Sequence, residues 1–435
     1  MEYTVIFYFV ENKQIFYIDD NDNDNVLKKM DLLNLNKPEN KLHAFRLFEN
    51  YEKCYQDLIK FKNDFNNWVE EIKTVPLQVG KKKKFYYLDY KKYFSHSDAV
   101  YYYFKSKLCK EKLEIFEKVS EDEFYIFERC VNSGLITLNL EYKNKPTKCF
   151  GYDFSRFYTN LLINLRIPIK PGKKYNLKSV EVGNLKFGIY RIKINYTNQK
   201  FTNIFNFSSE NHYTSSTLNY LNIVKNKYGL TFELLTDNDY DYNAFLYEEK
   251  ELVRGKTLFN DWFKSLEKIR VKYPKNRLLK HLMTSLWGTL SSYKKLYINI
   301  DESENYDVTY LNDQDQSEFK IIKSLDTQYK VVKSNDAYNY SIARIKPFLT
   351  SFGRLKIMKF IHEFEIEENL IRIHTDGLVL NKNIDFEKLN INKYVPKPED
   401  KTTGLINFHN AVYYFNCCNK CNKEFKFNDF KNHNC

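Results

Sequence analysis

Two short apolar runs, far apart in the chain, each end in an aspartate, and this pair constrains the fold more than any other feature. Asp153 closes an apolar strand just before a helix that begins near Phe157. The second run, Ile371-Arg372-Ile373-His374-Thr375-Asp376-Gly377-Leu378-Val379-Leu380, reads as a hairpin around a tight Asp376-Gly377 turn. Strands that must meet across such a separation need a sheet of non-local order, and helical stretches lie between them. The expected class is therefore α+β. Two carboxylates at the ends of neighbouring strands are what a two-metal phosphoryl-transfer site requires, since they hold two divalent ions about 3.5–4 Å apart. Taken singly, each aspartate reads more commonly as a turn former or helix cap.

Composition narrows the partners. The 435 residues are 43% hydrophobic and 17% aromatic, which excludes intrinsic disorder as the main state. With 36 Tyr and 35 Phe against 12 Gly and 9 Pro, collagen-like and linker-rich classes are excluded as well. Lys and Arg number 68 against 56 Asp and Glu, a formal charge of +12. That favours a polyanionic partner, nucleic acid or an anionic membrane, although surplus surface lysine gives the same sum. No run approaches the ~20 apolar residues that cross a bilayer. The apolar start Tyr3 to Val10 lacks a basic flank, so it does not read as a signal peptide. The expectation is an intracellular protein of the cytoplasm, a viral factory or an organelle, not a secreted or membrane protein.

Along the chain, Tyr3 to Ile18 predicts a hairpin turning at Glu11 to Gln14. The acidic stretch from Asp20 imitates half of a calcium loop without its glycine and reads as a solvated turn. Residues 42–74 predict a long helix, and Lys81 to Lys84 an exposed loop in preference to a dedicated DNA site. A helix capped by Ser97 runs to Leu113, followed by strands at Phe124 to Phe127 and Ile136 to Leu140. Beyond Gly151 come a helix from Phe157 to Leu165, a strand from Phe187 to Tyr196 and a helix from Ser215 to Lys227 stopped by Gly229. Helices at Thr257 to Lys272 and Arg277 to Leu290 follow.

The last of these carries Lys280, Thr284 and Trp287 at i, i+4 and i+7, one helical face, which Lys272 and Asn276 extend backwards. A cation, a hydroxyl and an indole on one face suit a nucleoside triphosphate. The plainer alternative is an amphipathic helix with a solvated basic side. At the end of the chain, Cys418, Cys421, His433 and Cys435 have the spacing C-x2-C-x11-H-x-C, with Cys418 preferred to Cys417 as first ligand. These soft ligands suit tetrahedral zinc, with Phe425 and Phe430 between them as a small core. A segment this short folds only around its metal.

These signals occur in an order that resembles the family B DNA polymerases, in the viral, plasmid and organellar branch that includes protein-primed enzymes. The family's first palm motif, D-x-x-S-L-Y-P-S, is matched by Asp153-Phe154-Ser155-Arg156-Phe157-Tyr158-Thr159-Asn160. The fingers motif K-x-x-x-N-S-x-Y-G is matched by Lys280 through Gly288, and D-T-D-S by His374-Thr375-Asp376-Gly377. The resemblance spans roughly 120–415. It implies Asp153 and Asp376 as ligands of two Mg²⁺ or Mn²⁺ ions and Lys280, helped by Lys272, on the incoming triphosphate. Tyr158 would lie under the sugar as a steric gate, Thr284 and Trp287 would line the nucleotide pocket, and Gly288 would allow close approach to the base pair. The implied fold is a right-hand palm of antiparallel sheet and helices with helical fingers, a mixed α/β N-terminal region and a small C-terminal zinc finger. The implied division is an N-terminal region 1–120, palm 121–256, fingers 257–292, palm with an insertion 293–415 and zinc module 416–435.

Departures accompany the match. His374 stands in place of the family's first Asp, Ser155 lies one position early with Arg156 in the Ser position, Thr284 replaces Asn, Trp287 replaces Tyr and Gly377 replaces Ser. No D-x-E exonuclease series precedes the first motif, and no K-x-Y primer grip or full thumb follows Asp376. The expected activity is template-directed DNA synthesis without proofreading. Primer–template DNA and deoxynucleoside triphosphates are the expected partners, with a priming protein or replication factor as a further one. The rival expectation is an inactive, polymerase-like DNA-binding subunit acting through its basic surface and zinc finger. A primase-like or terminal-transferase activity is a third.

Overall fold

The computed structural model describes residues 96–108, 111–142, 145–154, 156–236, 240–274, 276–311, 313, 315–325 and 327–384, with strand segments inside 4–47 and 396–426. The chain forms two compact units, 1–124 with 257–343, and 125–256 with 344–435.

The first unit opens with β1 (Thr4–Glu11) and β2 (Gln14–Asp19), which pair antiparallel from Ile6↔Asp19 to Glu11↔Gln14, as the hairpin pattern predicts. β3 (Lys28–Asp31) joins β2, and β4 (His43–Leu47) joins β1 in parallel. The strand at 43–47 corrects the expected helix over 42–74: a short apolar segment fits either period, and pairing with β1 satisfies its backbone. Residues 48–74 of that expectation, the acidic stretch 20–25 and Lys81 to Lys84 lie outside the described residues.

Helix α1 (His96–Ser106) buries Val100, Tyr103 and Phe104. It starts before Ser97 and ends at Ser106, whose hydroxyl donates to the Tyr103 carbonyl (2.7 Å), and Leu113 lies in a separate turn, Glu111–Glu114. Phe124 to Phe127 are helical, within α2 (Glu121–Arg129), not a strand. The cause is a capping box: the Glu123 amide donates to Ser120 Oγ (3.2 Å) and Glu123 Oε2 accepts from the Ser120 amide (2.9 Å).

In the second unit, β5 (Leu135–Leu138) and β6 (Lys145–Phe154) precede α3 (Phe157–Asn164). Next come β7 (Arg166–Pro168), β8 (Lys173–Tyr175), β9 (Gly188–Asn195), β10 (His212–Thr214) and α4 (Ser215–Ile223). A further helical turn, Lys225–Tyr228, stops at Gly229, which takes the left-handed φ of 59° that glycine adopts without strain. β11 (Thr231–Leu234), β12 (Ala244–Leu246) and β13 (Leu252–Arg254) complete this stretch. One sheet runs β10-β9-β12-β8 with β11 also on β9, and β13 pairs with β7.

The chain then returns to the first unit with α5 (Gly255–Lys272), α6 (Arg277–Thr284) and α7 (Leu286–Leu290). Trp262 is fully buried, Phe104 stacks on Phe259 at 5.3 Å, and α1 packs against α6 and α7. β14 (Lys295–Asn299), β15 (Val308–Tyr310), β16 (Phe319–Ser324) and β17 (Gln328–Lys333) form a sheet of order β14-β17-β16-β15 over Ile298, Phe319, Ile321 and Val331. By its contacts, 293–343 belongs to the same compact unit as 257–292.

The second unit closes with α8 (Ile345–Glu363), β18 (Leu370–Thr375), β19 (Gly377–Leu380), β20 (Pro396–Pro398), β21 (Thr402–His409), β22 (Tyr413–Cys417) and β23 (Glu424–Lys426). The main antiparallel sheet has the order β23-β22-β21-β6-β19-β18-β5, with β20 also on β6. Helix α8 packs on α3 and α4. Its period is obscured in the first half, where Pro347, Phe348, Leu349, Thr350 and Ser351 are buried in succession, and an outer face appears only at Lys356, Lys359 and Glu363. Its Pro347 sits in the first turn, where a missing amide is tolerated.

Candidate active site

The sheet brings the two aspartates together. On β6 and β19, Asp153 lies opposite Gly377, and the Phe154 amide donates to the Asp376 carbonyl at 2.8 Å. His374 also lies opposite Gly377, so Thr375 and Asp376 form the two-residue loop of the β18–β19 hairpin. A row Ile136–His374–Gly377–Asp153 thus crosses four strands. Residues in register share a face, so His374 and Asp153 stand on the same side of the sheet with only a glycine between them.

Both carboxylate segments turn through left-handed backbone. Arg156 has a φ of 58° and Thr375 a φ of 63°. A β-branched residue is a genuine outlier there, and hairpin loops of this kind ordinarily put Gly, Asn or Asp at a positive φ. Such a conformation costs roughly 1–3 kcal/mol and persists only where its surroundings impose it.

Tyr158, in the first turn of α3, is buried beside this loop. Phe157 before it packs on Phe154 (5.5 Å between centroids), and Phe154 meets Phe360 of α8 edge-on at 5.0 Å. The Tyr158 hydroxyl is pushed up to about 12, first by burial and second by the charge of Asp376, while the Arg354 guanidinium opposes the rise. Tyr158 therefore stays a neutral hydrogen-bonding group near neutral pH. Burial lowers Arg354 to about 10, which leaves it charged at neutral pH. Its Nη1 donates to the carbonyls of Val131 (2.8 Å) and Ser133 (2.6 Å). His374 is exposed, and its imidazole is held below its ordinary pKa, first by burial of part of the ring and second by the Arg372 guanidinium. Arg372 is itself buried in β18.

The donor chemistry of this pair fits a hard divalent cation. Two carboxylates offer oxygen ligands, and magnesium is commonly held by one or two protein carboxylates with water and substrate phosphates filling the other positions. Among the described residues, no group of three or more His, Cys, Asp or Glu side chains is assembled for a metal. Cys418, Cys421, His433 and Cys435 lie outside the described residues.

The other expected site residues lie in the first unit. Lys272 ends α5 and is exposed, as are Lys280 and Thr284 of α6 and Gly288 of α7, while Trp287 is half-buried. The expected continuous face is interrupted twice. Pro274 follows α5, and the Asn276 side chain caps α6 by accepting from the Leu279 amide (3.0 Å) instead of extending a helical face. A second break at Ser285 separates Lys280 and Thr284 from Trp287 and Gly288. Thr284 Oγ1 donates to the Lys280 carbonyl (3.0 Å), and a Cβ built on Gly288 would meet nothing within 4 Å.

No protein-family model matches the sequence, and no curated protein matches it. Solved structures do match. Phi29 DNA polymerase complexed with single-stranded DNA superposes with a TM-score of 0.50 at 13% identity, over 76% of this chain and 57% of that one. The fold resembles that of a DNA polymerase. The phi29 enzyme's ternary complex with primer–template DNA and incoming nucleotide substrates gives a TM-score of 0.50 at 13% identity, over 74% of this chain and 56% of that one. The chain thus spans 57% of the length of the first of these structures. At this identity the likeness is one of fold, an α/β chain with antiparallel sheets. Among the described residues, no helix is long and apolar enough to cross a membrane.

Sequence reasoning did not single out Arg354 or Gly134, nor the left-handed backbone of Thr375. Arg354 lies on the unforeseen α8, and its carbonyl partners are more than 200 residues away in sequence. No local pattern could have linked them.

Proposed function

We propose that the protein is a template-directed DNA polymerase of family B type that adds deoxynucleotides to a primer 3′-end. The observation that carries this reading is the strand register that places Asp153 opposite Gly377, the residue after Asp376, with the Phe154 amide on the Asp376 carbonyl and Tyr158 near the Asp376 charge. The likeness to the phi29 fold supports it.

In this reading the second unit supplies the palm and α5 to α7 the fingers. Asp153 and Asp376 would hold two Mg²⁺ or Mn²⁺ ions, which would supply charge neutralisation to the phosphates and to the attacking and leaving oxygens. Tyr158, neutral and fixed by its burial, presents its ring beneath the incoming sugar and crowds a 2′-hydroxyl. Lys280, with Lys272, meets the triphosphate as a point charge, and Thr284, Trp287 and Gly288 line the pocket for the nucleotide. The chain's task is to position the 3′-oxygen and the α-phosphate in line, which is where most of the acceleration in phosphoryl transfer arises. Basic side chains grip the template–primer backbone, so binding weakens steeply with salt. Cys418, Cys421, His433 and Cys435, by their spacing in the sequence, would be the ligands of a zinc ion, and a priming protein or replication factor would be a further partner.

One observation favours the rival, inactive reading. His374 adds no negative charge to the face it shares with Asp153. Primer extension separates the two. Template-directed extension by the wild type in Mg²⁺ or Mn²⁺ supports the polymerase, whereas DNA binding with no extension in either metal supports the inactive subunit. Extension without a template would point instead to a terminal transferase.

A further inference from the structure

The loop 131–134 meets the hairpin tip at an unusually close contact. Gly134 lies against Thr375: a Cβ added to it would sit 2.7 Å from Thr375 Cγ2 and 3.0 Å from the Thr375 Cα. Real side chains essentially never approach so closely, so only glycine fits while Thr375 keeps its present position. The next residue, Leu135, is the register partner of Thr375 on β5. On the loop's other side, Arg354 of α8 reaches the carbonyls of both Val131 and Ser133 through one nitrogen. The guanidinium, the loop, the glycine and the strained threonine therefore form a continuous line of contacts that ends one residue before Asp376.

We propose that the loop 131–134, clamped by Arg354, holds Thr375 in its left-handed conformation and thereby aims the Asp376 carboxylate. Arg354 and Gly134 are positioning residues, and neither touches the reacting atoms. The inference rests on the reading of Asp153 and Asp376 as the metal-binding pair. The physical basis is that Thr375 occupies backbone space that β-branched residues avoid, so something must impose it. The two-residue hairpin calls for a positive φ at this position, and Gly134, packed against Thr375 Cγ2, Cβ and Cα, is the neighbour placed to hold a β-branched residue there. Residues behind a metal ligand act in this way through orientation, and their loss typically lowers metal affinity about 10–100-fold.

The test is Mn²⁺ binding to the full chain by electron paramagnetic resonance, read beside the thermal unfolding midpoint. Wild type is expected to bind Mn²⁺, and Asp153→Asn to lose it. Gly134→Ala is expected to weaken Mn²⁺ by about tenfold or more and to change the spectrum of the bound ion. Adding Thr375→Gly to Gly134→Ala removes Cγ2 and supplies a residue free to adopt a positive φ, so binding should return to within a few-fold of wild type. A merely structural glycine would lower the unfolding midpoint and leave the spectrum of the bound ion unchanged. If Gly134→Ala does not fold, Arg354→Lys carries the test, with a similar loss of Mn²⁺ affinity at an unchanged midpoint. Mn²⁺ binding that depends on Asp153 but is untouched in Gly134→Ala or Arg354→Lys overturns the proposal, and so does a loss that Thr375→Gly fails to rescue. Absence of Asp153-dependent binding in the wild type overturns the metal-pair reading and this proposal with it.

Discussion

The two regions that carry expected site residues are built on opposite principles. Asp153, Asp376 and Tyr158 are set by strand pairing and burial between segments far apart in sequence, with a strained loop held against a glycine. Lys272, Lys280, Thr284, Trp287 and Gly288 sit on three successive helices, four of the five exposed, interrupted at Pro274 and Ser285. Under the proposed function, the first region would fix the groups that must not move, because carboxylates that share ions tolerate little displacement, and the second would present an exposed cation, a hydroxyl and an indole to a mobile nucleotide. Substitutions should therefore act differently in the two regions, through the rate of chemistry in one and through nucleotide affinity in the other.

Four substitutions test that contrast. Asp376→Asn removes one charge from the fixed pair. It should lower primer extension at saturating nucleotide by at least about a thousandfold, the equivalent of several kcal/mol of transition-state stabilisation, and leave the unfolding midpoint near wild type. Lys280→Ala should raise KM for the incoming nucleotide about 10–100-fold, the loss of one charge-assisted contact, with a smaller effect on kcat in steady-state assays. A kcat effect as large as that of Asp376→Asn would abolish the distinction. Ile373→Val, in the buried β18 strand leading into the loop, should destabilise the protein by about 0.5–1.5 kcal/mol in denaturant unfolding. Thr284→Ala, at an exposed helix end, should change stability by no more than about 0.5 kcal/mol in the same experiment.

The site was more legible in the sequence than the scaffold behind it. The hairpin around Asp376 and the strand ending near Asp153 carry strong local signals, an apolar run and a turn, and both elements are present, although the loop is Thr375–Asp376 and not the expected Asp376-Gly377, because Gly377 pairs with His374 as the first residue of β19. The register that joins them is not a local property. Ser120 and Glu123 do form a recognisable capping box, yet the aromatic run Phe124 to Phe127 reads as a strand unless the cap is weighed first. Helix α8 escapes notice for the opposite reason, since five successive buried residues, Pro347 to Ser351, blur the period that Lys356, Lys359 and Glu363 mark only in its second half. The left-handed Thr375 is hidden because threonine gives no hint of a positive φ, and the glycine that permits it stands elsewhere in the chain.

The central claim is that Asp153 and Asp376 act on one set of ions. It is tested most directly by anomalous diffraction from crystals of the protein with primer–template DNA, an incoming nucleotide and Mn²⁺. The account predicts manganese peaks bound by both the Asp153 and Asp376 carboxylates and by the nucleotide phosphates. Manganese bound by only one of the two aspartates, or by neither, would contradict it.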